Sequence, residues 1–314
     1  MPFIPQISVV SYKSRTIISG LILNTPYKKK RQTGLLNTLR GVLSSYKKPL
    51  LKNQEITVFI DNNSYVVKTN GHAVFEVELN ISFDKAPNVR VWYQEEELHI
   101  HQNYPIFFKY SDTRFAIISD IDDTILVSHT ASFFQRIGVL SFIPPAKRKP
   151  IDFTQKLLKL VELNDINMFY VSKSERNLFD VLTTFIQKQA LPKGVLFLTP
   201  YLNLRELTKR KKGKDFKLDR IEFILKHSSD KKFVLIGDDT QKDMEVYEVI
   251  SRKYKNQIVR IYIHQTRSRI NSRKQLLWKK LKSTFPNAVY FNESTDIVKE
   301  IDLLRNLITN KAEL

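Results

Sequence analysis

The chain contains no cysteine among its 314 residues. This absence excludes disulfide bonds and thiolate nucleophiles, and it also excludes zinc sites that are built on sulfur ligands. Neither catalysis nor metal binding in this chain can depend on a thiol.

Long hydrophobic runs are also absent, since none reaches the roughly 18 to 20 residues that a membrane span requires. The hydrophobic content of 42% nevertheless suits a globular protein with a sizeable core. Polar residues interrupt residues 1–19 throughout, so this segment does not have the pattern of a secretory signal. The expected compartment is therefore the cytoplasm.

Acidic residues are in deficit, with 32 Asp and Glu against 51 Lys and Arg, which gives a net charge of +19. This excess favours polyanionic partners such as nucleic acid, an anionic membrane surface or phosphorylated substrates. The alternative is a lysine-rich, solvated surface without a specific partner, and composition does not choose between these interpretations.

Residues 1–112 predict a β-rich N-terminal domain that looks like a small β-sandwich. Asp61-Asn-Asn63 and Asn70-Gly71 are turn signals between apolar segments, and residues 33–45 predict an inserted helix. The predicted strands are 55–60, 64–68, 73–79, 89–93 and 98–101.

Residues 113–314 predict a different architecture, because apolar strands now alternate with amphipathic helices. This alternation is typical of an α/β fold in which helices cover both faces of a parallel sheet. The predicted strands are 115–122, 166–172, 195–199, 232–238, 258–264 and 288–291.

The first of these strands ends in three carboxylates, Asp120, Asp122 and Asp123. Because side chains alternate along an extended strand, Asp120 and Asp122 lean to the same side. Carboxylates placed so close together repel each other unless a positive group lies between them. The pattern predicts a divalent cation, or a division of roles in which one carboxylate attacks and the other transfers protons.

Further polar residues occur at strand ends or helix starts: Ser172, Lys217, and the acidic pair Asp238 and Asp243. Ligands of such folds gather at the carboxyl ends of the strands, where these residues would meet Asp120. Two acidic clusters in a basic protein indicate a hard cation with oxygen ligands, namely Mg²⁺. The hydroxyl and the ammonium would hold an anion beside it, which predicts phosphoryl transfer through an aspartyl phosphate.

These motifs resemble those of the haloacid dehalogenase superfamily, whose phosphohydrolases carry Asp-x-Asp-x-Thr, then Ser or Thr, then Lys, then an acidic pair. Residues 119–125, 169–180 and 235–243 are more narrowly similar to the phosphatidate phosphatase family related to the yeast actin-patch enzyme. The resemblance covers about residues 115–265. It implies a Rossmann-like haloacid dehalogenase core with a minimal cap.

The resemblance also implies roles for individual residues. Asp120 matches the nucleophile, and Asp122 matches the general acid and base that protonates the leaving oxygen and then activates water. Thr124 matches the hydroxyl residue that orders the loop near the phosphoryl group. Ser172 and Lys217 match the groups that bind the transferred phosphoryl.

The implied cofactor is Mg²⁺. Its implied ligands are Asp120, Asp122 through its backbone carbonyl, Asp238 and Asp243. Asp243 is either a water-mediated ligand or the residue that holds Lys217. Asp123 and Asp239 are either ligands themselves or supports of the ligands.

Two departures from the family pattern bear on the substrate. The Pro-Trp pair that follows strand two in the family is missing after Ser172, and Asp239 replaces the serine of the family's Gly-Asp-Ser-Gly-Gln. Phe133, Phe134 and the cationic residues 147–149 lie in the short segment before residue 152. They would line an open site mouth suited to an amphiphilic phosphate such as phosphatidate, or the aromatic residues would be core.

The predicted function is Mg²⁺-dependent hydrolysis of phosphatidate to diacylglycerol and phosphate. One alternative is hydrolysis of a soluble phosphomonoester, and the other is a basic membrane-binding or nucleic-acid-binding protein with a vestigial site. No nucleic-acid motif is recognisable, so no specific nucleic acid is expected. The basic helix at 267–282 either contacts an anionic membrane peripherally or packs its apolar side on the sheet.

Overall fold

The structure is a computed structural model that describes residues 1–27, 41–121, 152–201, 216–240, 242–266, 270–292 and 294–309. The chain forms two compact units. The first comprises Met1–Tyr110, Ser174–Thr184 and Leu198–Gly213, and the second comprises Ser111–Lys173, Phe185–Phe197 and Lys214–Leu314. The division into domains at residues 112 and 113 stays a prediction.

The first unit contains two four-stranded sheets, ordered β5-β2-β1-β8 and β4-β3-β6-β7. Neighbouring strands are antiparallel, except that β1 and β8 are parallel. Side chains from both sheets, including Ile7, Ile18 and Val58, form one hydrophobic cluster. The strands are β1 Phe3–Ser11, β2 Thr16–Leu23, β3 Glu55–Ile60, β4 Asn63–Lys68, β5 Val74–Leu79, β6 Val89–Tyr93, β7 Glu96–Glu97 and β8 Phe107–Phe108.

The predicted strand at 98–101 is wrong. Only Ile100 forms a bridge, with Ile4, through backbone hydrogen bonds from Ile4 N to His99 O and from His101 N to Ile4 O, while Leu98 N donates to Val91 O of β6. The partner of β6 is instead the short β7, which turns back directly after Tyr93. Of the predicted helix at 33–45, residues 33–40 lie outside the described part of the chain, and residues 41–45 are helical.

The second unit is built on a six-stranded sheet with the order β11-β10-β9-β12-β13-β14. Four of its strand pairs have a parallel register, from β10 through β9, β12 and β13 to β14. The predicted α/β class and parallel sheet are therefore confirmed. The strands are β9 Phe115–Ser119, β10 Asn167–Glu175, β11 Val195–Thr199, β12 Lys232–Asp238, β13 Ile258–His264 and β14 Ala288–Phe291.

Helices flank this sheet: α1 Asp152–Leu163, α2 Phe179–Lys188, α3 Phe216–His227, α4 Asp243–Lys253, α5 Ser272–Thr284 and α6 Ile297–Thr309. Right-handed crossovers that leave β9 and β12 in opposite directions place their helices on opposite faces of the sheet. The packing agrees, because α1 contacts α6 while α4 contacts both α3 and α5. No helix among the described residues is long and apolar enough to cross a membrane.

The order of strands reverses between β9 and β12. Every residue of β9 is buried, and so are six of the seven residues of β12, as expected for strands covered on both faces. In doubly wound sheets, ligands bind outside the carboxyl ends of the strands at such a reversal. The residues that follow β9 and end β12 are therefore the first candidates for a functional site.

Candidate active site

Asp120 lies at this reversal, immediately after β9. Its backbone N–H donates to the Ile236 carbonyl of β12 over 2.9 Å, so the end of β9 stays fixed to the neighbouring strand. Asp120 is only 1% exposed. A carboxylate buried at the end of an apolar strand requires compensating positive charge.

Lys217 supplies that charge from the first turn of α3. Its ammonium Nζ lies 3.0 Å from Asp120 Oδ2 and 2.5 Å from Asp243 Oδ1. All three side chains are almost completely buried, so water weakens these ion pairs very little. Lys217 therefore links the end of β9 to the start of α4.

Asp238 and Asp243 face each other across the turn between β12 and α4. The Asp238 backbone N–H donates to Asp243 Oδ2 over 3.1 Å, and the Thr240 hydroxyl donates to Asp238 Oδ1 over 2.6 Å. Carboxylate oxygens of Asp120, Asp238 and Asp243 all lie within 4.8 Å of one another. The predicted residues Asp120, Lys217, Asp238 and Asp243 thus meet in one buried cluster.

The cluster shifts the pKa of its members in a way that reflects excess negative charge. Burial and then the charge of Asp243 raise the pKa of Asp238 to about 7, although Lys217 and Thr240 act in the opposite direction. Burial alone would lower the pKa of Lys217, but the three carboxylates outweigh it and raise the pKa above its ordinary value. The ammonium of Lys217 therefore stays charged.

Gly237 and Tyr247 pack closely against Asp243 of this cluster. A Cβ atom at Gly237 would lie 2.6 Å from Asp243 Oδ2 and 2.8 Å from Tyr247 Cε2, so only glycine permits this close approach. The buried Tyr247 hydroxyl donates to the Ile236 carbonyl over 2.8 Å. Tyr247 was not predicted, because a tyrosine on a helix gives no local signal for such a contact.

Ser172 lies in β10, next to β9, and is completely buried. The register pairs Tyr170 with Ser119, so Ser172 comes two residues later, at the same carboxyl edge of the sheet as Asp120. Strand β10 continues to Glu175, three residues beyond the predicted end. Asp122, Asp123 and Thr124 lie outside the described residues, as does the segment 125–151.

Asp239 has a different environment from Asp238, although the two are adjacent. Its Oδ1 accepts hydrogen bonds from the Thr266 hydroxyl at 2.5 Å and from Lys274 Nζ at 2.9 Å, and its Oδ2 accepts one from the Tyr290 hydroxyl at 2.6 Å. Burial alone would raise the pKa of Asp239, but these three hydrogen bonds outweigh it and lower the pKa. Asp239 is thus an ionised carboxylate that three side-chain donors stabilise, and it lies outside the cluster formed by Asp120, Asp238 and Asp243.

Comparison with known proteins finds similarity in this region. Residues 115–265 match the family model described as the catalytic domain of phosphatidate phosphatase APP1. The phosphatidate phosphatase APP1 of Saccharomyces cerevisiae is 35% identical over 150 residues, which cover 47% of this chain and 25% of that protein. An uncharacterized protein of Schizosaccharomyces pombe is 22% identical over 155 residues, which cover 49% of this chain and 25% of that protein.

The match therefore spans about a quarter of the length of each of these relatives. A carbohydrate acetylesterase from Xanthomonas citri is similar in structure at a TM-score of 0.37 and 10% identity, covering 100% of this chain and 77% of that one. All four clustered residues lie within the matched segment, so the similarity to the catalytic domain of phosphatidate phosphatase APP1 includes the buried cluster.

Proposed function

We propose that this protein is a Mg²⁺-dependent phosphoric monoester hydrolase of the haloacid dehalogenase type that acts on phosphatidate through an aspartyl phosphate at Asp120. The observation that carries the proposal is the buried cluster of Asp120, Asp238 and Asp243 around Lys217, at the strand-order reversal of the matched segment. Buried and mutually perturbed ionisable groups at such a position are characteristic of catalytic sites.

The charge of the cluster fits a divalent cation. Three buried carboxylates with oxygens within 4.8 Å of one another gather around the ammonium of Lys217. Carboxylate oxygens are the ligands that Mg²⁺ prefers. Both oxygens of Asp243 already accept hydrogen bonds, one from Lys217 and one from Asp238 N. Asp120 and Asp238 would therefore hold the cation directly, while Asp243 holds Lys217.

When bound, Mg²⁺ would neutralise the carboxylates and withdraw charge from the phosphoryl oxygens. Asp120 would attack phosphorus, which forms an acyl phosphate and breaks the bond to the ester oxygen. Following the family resemblance, Asp122 donates its proton to the departing alkoxide. It then accepts a proton from the water that hydrolyses the acyl phosphate, so that diacylglycerol and inorganic phosphate leave and Asp120 is regenerated.

Lys217 positions the nucleophile for this sequence of steps. Its ammonium holds Asp120 Oδ2 at 3.0 Å, and its raised pKa keeps it cationic throughout the neutral pH range. A permanent cation at this point also attracts the dianionic phosphoryl group. Ser172 at the same edge would add a hydroxyl donor to the phosphoryl oxygens, in the role that the family resemblance implies.

The yeast relative is named for its action on phosphatidate, which is the substrate we propose for this protein. A lipid substrate is consistent with helix α5, which has four exposed basic residues and no acidic one, and whose Leu276 is 68% exposed. Arg273 in its first turn is also highly exposed. Basic residues around an exposed leucine suit peripheral contact with an anionic membrane, from which the substrate would enter. We propose the cytoplasm as the compartment in which the protein acts.

The experiment is a phosphate-release assay that compares phosphatidate in mixed micelles with a panel of soluble phosphomonoesters, in Mg²⁺ and in EDTA. We expect phosphatidate to be preferred and Asp120→Asn to be inactive. Asp302→Asn, which changes an exposed residue of α6, is the matched control and should retain full activity. Preference for a soluble ester would favour the alternative substrate class. Equal rates of wild type and Asp120→Asn would refute the mechanism.

A further inference from the structure

Asp239 lies in the turn between β12 and α4, and the proposed reaction gives it no role. It is the residue next to Asp238, and its carboxylate is 1% exposed. Its backbone N–H donates to the His264 carbonyl at the end of β13 over 3.2 Å. A carboxylate that costs energy to bury, directly beside a candidate metal ligand, is therefore held by a specific set of donors.

These donors come from three elements that follow the family segment in the chain. Thr266 lies just after β13, Lys274 lies in the first turn of α5, and Tyr290 lies in β14. All three follow residue 265, at which the family match ends. The loop that carries Asp238 is thus fixed by a part of the chain that the family model does not include.

The donors are themselves fixed. The backbone N–H of Lys274 donates to the N-cap side chain of Asn271 over 2.9 Å, so the helix start that presents the ammonium is capped. The ring of Tyr290 lies against Trp278 of α5, with a centroid distance of 5.0 Å. A cation in the first turn of a helix opposes the helix dipole, and the contact with Asp239 offsets this cost at Lys274.

We propose that Asp239 is a positioning residue: through Thr266, Lys274 and Tyr290 it holds the Asp238 carboxylate in the orientation that binds the divalent cation. The proposal rests on the proposed function, since it presupposes the metal site. Asp238 Oδ1 is held on one side by the Thr240 hydroxyl at 2.6 Å, and Asp239 fixes the adjoining backbone on the other. Outer partners that orient metal ligands commonly change metal affinity 10-fold to 100-fold when they are removed.

The test measures Mg²⁺ binding through the Mg²⁺-dependent rise in melting temperature, which does not depend on activity. Asp239→Asn keeps the shape of the side chain but weakens its ionic contact and should raise the half-saturating Mg²⁺ concentration about 10-fold. Tyr290→Phe, which removes a single donor, should raise it about threefold by the same argument. Lys274→Met should resemble Asp239→Asn, and Lys274→Arg should restore most of the affinity. Asp302→Asn is the control.

Activity at saturating Mg²⁺ supplies the second readout. We expect kcat of Asp239→Asn to return to within a few-fold of wild type, because Asp239 does not contact substrate. If Asp239→Asn fails to fold, Tyr290→Phe and Lys274→Arg still decide the question. Wild-type Mg²⁺ affinity in all these variants, with affinity lost in Asp238→Asn, would overturn the positioning role and leave the proposed function intact. A wild-type protein that Mg²⁺ does not stabilise would overturn both.

Discussion

The protonation of Asp238 offers a quantitative test of the proposed metal site. Burial and the neighbouring Asp243 raise its pKa from the ordinary value of 3.8 to about 7. A pKa that is higher in the folded than in the unfolded protein means that the folded state binds the proton more tightly. The stability from this group is therefore fully present below pH 4 and is lost as the pH rises through 7.

The size of the effect follows from the two pKa values. Each pKa unit corresponds to about 1.36 kcal/mol, so a rise from 3.8 to about 7 corresponds to about 4 kcal/mol. In Asp238→Asn the side chain is a neutral amide at every pH. In EDTA, the free energy of unfolding of wild type should therefore fall by about 4 kcal/mol relative to Asp238→Asn between pH 4 and pH 8.

Urea denaturation followed by tryptophan fluorescence provides the assay. The chain has two tryptophans, Trp92 in the first compact unit and Trp278 in the second. In a Trp92→Phe background the signal reports the second unit alone, which contains the site. Saturating Mg²⁺ at pH 8 should restore the stability that the wild-type protein loses in EDTA, since the cation replaces the proton on Asp238. The stability of Asp238→Asn should not change with Mg²⁺.

The exposed Asp302 of α6 provides the control, because Asp302→Asn should run parallel to wild type across the pH range. Parallel pH profiles for wild type and Asp238→Asn in EDTA would refute the reasoning. They would mean that Asp238 titrates alike in the folded and unfolded protein, and that its environment does not favour a divalent cation over a free carboxylate.

Three further substitutions probe the cluster. Lys217→Met leaves buried carboxylates without their ammonium, so activity should vanish and urea denaturation in EDTA should show a loss of about 3 to 5 kcal/mol; unchanged stability would contradict the burial of the pairs. Gly237→Ala forces a Cβ against Asp243, so it should lower the free energy of unfolding by about 1 to 3 kcal/mol and remove most of the activity. Gly71→Ala is the control, because a Cβ there meets nothing within 4 Å, and it should change neither stability nor activity. Tyr247→Phe removes the hydrogen bond to Ile236, so it should lower the free energy of unfolding by about 1 kcal/mol and leave kcat within a few-fold of wild type. A much larger loss of kcat would show that the hydroxyl takes part in the reaction.

The parallel sheet could be predicted because each of its strands is a short apolar run between amphipathic helices, as in Phe233–Ile236, where every residue is buried. The first two strands of the N-terminal region were missed for a physical reason. Strands β1 and β2 are buried along almost their whole length, so they lack the alternation of polar and apolar residues that identified β3 and β5.

The cluster of Asp120, Lys217, Asp238 and Asp243 could be predicted because each residue directly ends a strand or begins a helix. Such positions converge on one edge of a parallel sheet whatever the details of packing. The partners of Asp239 could not be predicted. Thr266 is 27 residues away in sequence and Tyr290 is 51, and neither belongs to a motif that would indicate the contact.

The most direct test of the central claim is to trap the phosphoryl group on Asp120. In an Asp122→Asn variant given p-nitrophenyl phosphate, whose leaving group needs no proton, the proposed mechanism predicts that attack proceeds while hydrolysis of the acyl phosphate stalls. We expect a burst of about one p-nitrophenol per enzyme in Mg²⁺, none in EDTA, and hydroxylamine-labile phosphate on Asp120. Steady turnover without a burst, or phosphate on any other residue, would contradict the account.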